Sequence, residues 1–327
     1  MLRIYFTEAD LARTSVASAA DPFWEMVLSG FRLNESNRDL VFQPWIQRLR
    51  SNRRLAGRVQ AGARILAALA PKGPKFPDFI TPFEAREGIE AGLDAVLSTP
   101  PRELNAQLAR LNASSPIPRW IRPLAEGDRE SLALLGRGLT DYYKAAIAPY
   151  EDLIQGAISA DRTRRAHHFL DGGIEGMLAS IGPVMRWRPP VLHVSHDFEQ
   201  DLYLRGRGLR LVPSFFCGRT ACTLADPDFP PVLVYPIDLD CRWAQAASAD
   251  SHRSLDALIG KTRADILRAI NLGATTTELS RRAGTSPGSV SRHTSVLRDA
   301  SLITTQRDRN AVVHSLTKLG ADLLGCR

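Results

Sequence analysis

TTTELSRRAGTSPGSVSRHTSVLRDASLI, residues 275–303, is the stretch whose reading decides the fold. Thr276 or Thr277 is placed to cap a short helix, ELSRRAG, whose inward positions are Leu279 and Ala283, with Gly284 closing it just past its end. Ser286-Pro287 opens a second helix. The serine hydroxyl can accept an orphan backbone N–H, and the proline stands where a missing N–H costs nothing. Val290, Thr294 and Leu297 recur at i, i+4 and i+7 and predict one buried face. The other side carries Ser289, Ser291, Arg292, His293 and Ser295, a thin polar surface suited to a major groove about 12 Å wide.

Working outward, KTRADILRAI (261–270) reads as a preceding helix that buries Ile266, Leu267 and Ile270, with Gly273 ending the element. Downstream, Leu302, Ile303 and Thr304 enter a strand, and Val312, Val313 and His314 return. The connection TTQRDRNA puts Arg307 and Arg309 on a hairpin tip, where they can reach phosphates or a minor groove. Leu316, Leu319, Leu323 and Leu324 are expected to form a closing amphipathic helix. Between Thr276 and Asn310 there are six arginines against three acids, which favours DNA over a protein partner. The candidate DNA contacts are therefore Thr276, Ser286, Ser289, Ser291, Arg292, His293, Ser295, Arg307 and Arg309.

LIGKTRADILRAI, TTTELSRRAG, SPGSVSRHTSVLRDASLI and the basic hairpin together make residues 255–327 resemble the ArsR-type winged-helix repressors. The resemblance implies that the helix carrying Ser289, Ser291, Arg292 and His293 enters the major groove while Arg307 and Arg309 touch the backbone. It also implies a homodimer on a palindromic operator. Three positions depart from the family pattern: Thr294 replaces a usual leucine, Ser295 an often basic residue, and Ser301 a common glycine. Metal sensing in that family needs a cysteine pair on the second helix, and GATTTELSRRAG offers neither Cys nor His. No metal and no cofactor are expected.

The remaining 250 or so residues carry no motif that converts into chemistry, and weakly resemble the N-terminal extensions of some ArsR-like regulators. Leu2, Ile4 and Phe6 alternate as a short strand, and Asp21-Pro22 starts a helix. Helical patterns cover about 44–70, 81–97, 101–111, 130–158 and 161–181, the last interrupted near Gly172-Gly173. From Pro190 to about 240, short apolar runs predict a small sheet, and DLYLRGRGLRLVP reads as a hairpin turning at Gly206-Arg207-Gly208. The small polar run 242–254 is the expected domain boundary. The fold class is thus α+β: a mostly helical N-terminal domain (1–250) with a small β-sheet, serving sensing and dimerisation, then a winged helix-turn-helix (255–327).

Composition agrees with a soluble, cytoplasmic protein: 44% apolar and 24% charged residues, a net charge of +7, and no apolar run of membrane-spanning length. The 37 arginines against five lysines reflect base composition more than recognition. Cys217, Cys222, Cys241 and Cys326 match no common zinc spacing and are expected to be reduced, buried thiols, with a redox or metal role for Cys217 and Cys222 the alternative. His193 and His196 fall on opposite faces of a strand, and His167 and His168 diverge on a helix, so neither pair chelates well. Arg48, Arg50, Arg53, Arg54 and Arg58 read as a solvated helix face, with a second phosphate-contacting surface as the alternative. Tyr142, Tyr143, Tyr150, Trp187, Tyr203, Phe215 and Phe216 read as core, or as the lining of an aromatic pocket. The function expected is a sequence-specific, dimeric regulator of transcription, a repressor, binding double-stranded DNA and tuned by a small-molecule effector through its N-terminal domain. A protein-binding winged-helix scaffold, and an enzyme with an appended winged helix, are the alternatives. No GxSxG, P-loop or HExxH supports the enzyme.

Overall fold

Leu2 and Ile4 of strand β1 (Leu2–Tyr5) are fully buried. The structure, a computed structural model, describes residues 1–34, 40–51, 53–70, 76–112, 118, 120–182, 184–196, 199–218, 220–224, 229–239, 255–270, 274–308 and 311–324. The chain divides into two units, Met1–Leu239 and Asp240–Arg327. The predicted boundary run 242–254 lies outside the described residues.

In the first unit, β1 is followed by α1 (Glu8–Arg13), β2 (Ser15–Val16) and α2 (Pro22–Asn34). Asp21 starts α2 as the sequence predicts: its Oδ1 accepts the backbone N–H groups of Phe23 at 3.1 Å and Trp24 at 3.2 Å. Then come α3 (Gln43–Ser51), α4 (Arg53–Leu69), α5 (Ile89–Leu97), α6 (Pro101–Asn112), α7 (Ile121–Ala125), α8 (Arg129–Tyr142) and α9 (Glu151–Ala179). The predicted helix 81–97 is α-helical only over its second half; 3₁₀ turns at Asp78–Ile80 and Phe83–Glu87 precede it. The helix predicted over 130–158 is interrupted by a π turn at Tyr143–Ile147 and a 3₁₀ turn at Ala148–Tyr150, which contains Pro149. Within α9 the backbone leaves helical geometry at Gly172 and Gly173, where the paired glycines predicted a break. The helices cross closely: a Cβ on Gly62 of α4 would stand 2.7 Å from the Gly138 carbonyl oxygen of α8.

The strands form two four-stranded sheets rather than one, in the orders β3-β4-β1-β5 and β2-β6-β8-β7. Their remaining members are β3 (Met185–Arg188), β4 (Val191–Val194), β5 (Gln200–Tyr203), β6 (Arg210–Ser214), β7 (Cys222–Thr223) and β8 (Val232–Pro236). The predicted hairpin 201–213 does not form. β5 pairs parallel to β1, and β6 pairs parallel to β2 and β8. The turn between them explains the divergence. Arg205, Gly206 and Gly208 all have positive φ, and the Gly208 N–H donates to Asp10 Oδ1 at 3.0 Å. A Cβ on Gly208 would sit 2.6 Å from the Arg13 carbonyl oxygen, so the turn is seated on α1 and delivers β6 to β2.

The aromatic residues singled out in the sequence divide by burial. Tyr142, Phe215 and Phe216 are wholly buried, Tyr143 and Tyr150 nearly so, whereas Tyr203 is exposed and stacked on Tyr5. Cys217 and Cys222 are buried free thiols; Cys241 and Cys326 lie outside the described residues. No described helix is long and apolar enough to cross a membrane.

The second unit comprises α10 (Lys261–Ile270), β9 (Ala274–Thr275), α11 (Thr276–Arg282), α12 (Pro287–Asp299), β10 (Ile303–Asp308), β11 (Ala311–Leu316) and α13 (Lys318–Leu324). Helices α10, α11, α12 and α13 and a three-stranded sheet, ordered β10-β11-β9, pack around a core of Ile266, Leu267, Ile270, Leu279, Val290, Leu297 and Ile303. The fold is therefore α+β, helical with small sheets in the first unit and a winged helix-turn-helix in the second.

Candidate nucleic-acid interface

Helix α12 is built as its sequence predicts. Ser286 Oγ accepts the Ser289 N–H, Pro287 occupies the first turn, and Val290, Thr294 and Leu297 are buried. Thr294 fills a leucine position without an orphaned hydroxyl, because its Oγ1 donates to the Val290 carbonyl at 2.9 Å. Opposite the buried face, Gly288, Ser291 and Arg292 are exposed, and a Cβ on Gly288 would meet nothing within 4 Å. Ser289, His293 and Ser295 are half-buried, so they flank this surface more than they form its crest. The Arg292 guanidinium has no hydrogen bond or ion pair among the described residues. Arg298, absent from the sequence-derived set, donates to Ser295 Oγ at 2.9 Å and lies 3.7 Å from Asp299.

The preceding helix departs from expectation at its start. Its cap is Thr275, not Thr276 or Thr277: Thr275 Oγ1 accepts the Glu278 N–H and the Glu278 carboxylate accepts the Thr275 N–H, a reciprocal capping box. Thr275 also belongs to β9, opposite Val313 of β11. Thr276 is half-buried, and its hydroxyl shares a hydrogen bond with His314 Nε2 at 3.1 Å. Gly284 takes positive φ just past α11, and the Thr285 N–H reaches the Ser280 carbonyl.

The paired strands of the hairpin are longer than the sequence suggests. The ladder runs from Ile303↔Leu316 to Asp308↔Ala311, so Arg307 stands on β10 opposite Val312 rather than at the tip. Its side chain is exposed; Arg309 lies outside the described residues. The closing helix also needs correction. Leu316 is on β11, and Leu319 is 56% exposed, while Leu323 and Leu324 pack on the core as predicted.

His314 pins the wing to the helix-turn-helix. It is buried, and its Nδ1 shares a second hydrogen bond with Thr305 at 3.0 Å. Burial, assisted by repulsion from Arg298, holds its pKa below the ordinary histidine value of 6.5. The folded domain thus keeps His314 neutral while the unfolded chain takes up a proton. Its contribution to stability is present above pH 6.5 and is lost as the pH falls below it. The urea midpoint of this unit is expected to drop between pH 7.5 and 5, and His314→Gln to flatten the dependence.

The exit from α12 bears on the departure at Ser301. The Leu302 N–H donates to the Leu297 carbonyl at 2.9 Å and the Ser301 N–H to the Arg298 carbonyl at 2.8 Å, a Schellman ending. Ser301 therefore sits at φ 58°, where a side chain costs about 1–2 kcal/mol. Ser301→Gly is expected to stabilise this unit by up to about 1 kcal/mol in urea unfolding, offset in part by the greater freedom of glycine in the unfolded chain.

A family model described as a helix-turn-helix domain matches residues 258–306, which run from just before α10 into β10. No curated protein and no solved structure matches the chain.

Proposed function

We propose that the chain is a sequence-specific, DNA-binding transcription regulator of the ArsR type, not an enzyme. It acts in the cytoplasm as a homodimeric repressor whose N-terminal unit senses a small-molecule effector. The observation that carries this reading is the outer side of α12. An exposed, side-chain-poor surface at Gly288 and Ser291 lets the backbone approach a duplex, and beside it stands Arg292, whose guanidinium has no hydrogen bond or ion pair among the described residues. Arg292 reads base edges, with Ser289, His293 and Ser295 bordering the groove and Arg307 on the phosphates. Thr276 and Ser286 act through backbone positioning, since the hydroxyls of both are committed within the protein.

The test is selection of bound sequences from a random duplex pool, followed by titration with salt. A palindromic consensus with half-sites about one helical turn apart is expected, with log affinity falling linearly in log salt by about 0.9 per phosphate neutralised. Failure to enrich any sequence, or salt-insensitive binding, would overturn the reading.

A further inference from the structure

The first unit contains a cavity of about 530 Å³ that opens to solvent, within the range of small-molecule sites. Trp24 of α2, Phe79, Phe83 and Phe229 contribute aromatic wall, and Val212 and Val232 of the second sheet contribute aliphatic wall. Arg210, the first residue of β6, lines the same space. Its guanidinium carbon lies 5.5 Å from the centre of the Phe83 ring, and Arg86 stacks on that ring at 4.1 Å. Among the described residues the Arg210 side chain donates no hydrogen bond and has no carboxylate within 4 Å; it is partly withdrawn from solvent and feels the more distant charge of Asp21. A guanidinium carries five N–H donors in a planar fork that matches a carboxylate.

The other charged groups narrow the ligand further. Asp21, Asp78, Glu84 and Glu103 also line the cavity, so a bare anion would meet four carboxyl groups against one guanidinium. Asp21 caps α2, and Glu103 accepts from Gln107 at 2.9 Å. Glu84 is exposed on the 3₁₀ turn Phe83–Glu87, directly after the ring on which Arg210 stacks. A ligand that brings an anion to Arg210 and a cation to this acidic rim answers both parts of the lining.

We propose that this cavity binds a small aromatic amino acid or a close analogue. Its carboxylate is held by Arg210, its ring lies among Trp24, Phe79, Phe83 and Phe229, and its ammonium group faces the acidic lining. This deepens the proposed function by naming the effector class and rests on the reading that the N-terminal unit receives a signal.

Isothermal titration of the full chain with phenylalanine, tyrosine and tryptophan tests it, with phenylpropionate and phenethylamine as half-ligands lacking the amine and the carboxylate respectively. Saturable binding of at least one amino acid is expected, weaker for both half-ligands. Arg210→Gln should lower the affinity roughly tenfold or more, the weight of a charged hydrogen bond. Phe83→Ala, at a partly exposed ring, should weaken it while leaving thermal unfolding of the free protein nearly unchanged. No saturable binding, a half-ligand as tight as the amino acid, or unaltered affinity in Arg210→Gln would each overturn the proposal. DNA affinity measured with and without ligand separates the two readings. Ligand binding that leaves DNA affinity unchanged removes the effector role and leaves the cavity assignment standing. Salt-sensitive DNA binding with no ligand binding removes the cavity assignment alone.

Discussion

Glu25→Ala is expected to destabilise the N-terminal unit by about 3–5 kcal/mol, enough to unfold most of a marginally stable domain. Glu25 lies on α2 within the mostly apolar run PFWEMVLSGF and is 1% exposed. Its two carboxylate oxygens accept the backbone N–H groups of Phe215 at 2.8 Å and Phe216 at 2.9 Å, where the chain leaves β6. Alanine would remove the carboxylate acceptor from both buried N–H groups, a loss of about 1–3 kcal/mol each, and would open a cavity beside two aromatic rings. Glu25→Gln keeps one acceptor oxygen but turns an amide NH₂ toward the second N–H, so it should recover only part of the loss. Urea denaturation of the three proteins ranks them; an alanine variant within 1 kcal/mol of the parent would show that water satisfies the loop.

The same carboxyl gives this unit a pH signature opposite to that of the wing. Burial raises Glu25 to about 7 and Asp21 to about 6, against the donors that each accepts. In the folded state both hold protons to a higher pH than in the unfolded chain. Their contribution is complete below the ordinary carboxyl values and disappears as pH rises through about 6 and 7. For Glu25 alone this is on the order of 3 kcal/mol. Acidification from pH 8 to 5 should therefore stabilise the first unit while destabilising the His314-pinned second one. Peptide-resolved hydrogen exchange in urea distinguishes the two.

What the sequence discloses and what it conceals divide by the range of the interactions. Helix α12 is legible to the residue because Ser286, Pro287 and the Val290, Thr294, Leu297 spacing act within one turn or two of each other. The Thr275 cap is misplaced by one residue because Thr275 is simultaneously a strand partner of Val313, thirty-eight positions away. β5 and β6 look like the arms of a hairpin, yet their pairing is settled by β1 and β2 at the other end of the chain and by Asp10 gripping Gly208. The cavity was invisible for the same reason. Trp24, Phe83 and Arg210 have nothing local in common, and none of the seven aromatic residues picked from the sequence lines it. Arg307 reads as a tip residue because TTQRDRNA carries no alternating apolar pattern, yet the ladder continues through Arg307↔Val312 to Asp308↔Ala311.

Arg292→Ala is expected to weaken binding to the selected duplex by about 1–3 kcal/mol, a loss of roughly 5- to 150-fold, with little effect on unrelated sequence. An exposed arginine with no partner among the described residues contributes almost nothing to folding, so the thermal midpoint should not move. Arg292→Lys sharpens the test. It keeps the charge but replaces a planar two-donor fork by a point cation, so affinity should survive better than discrimination. Arg307→Ala supplies the contrast. A strand residue of the wing that touches phosphate should lower binding to all sequences about equally and reduce the salt slope by about 0.9. If Arg292→Ala also reduced every sequence alike and lowered the salt slope, Arg292 would be a backbone contact. The crest of α12 would then owe its specificity to the short side chains around Gly288 and to the shape of the duplex they admit.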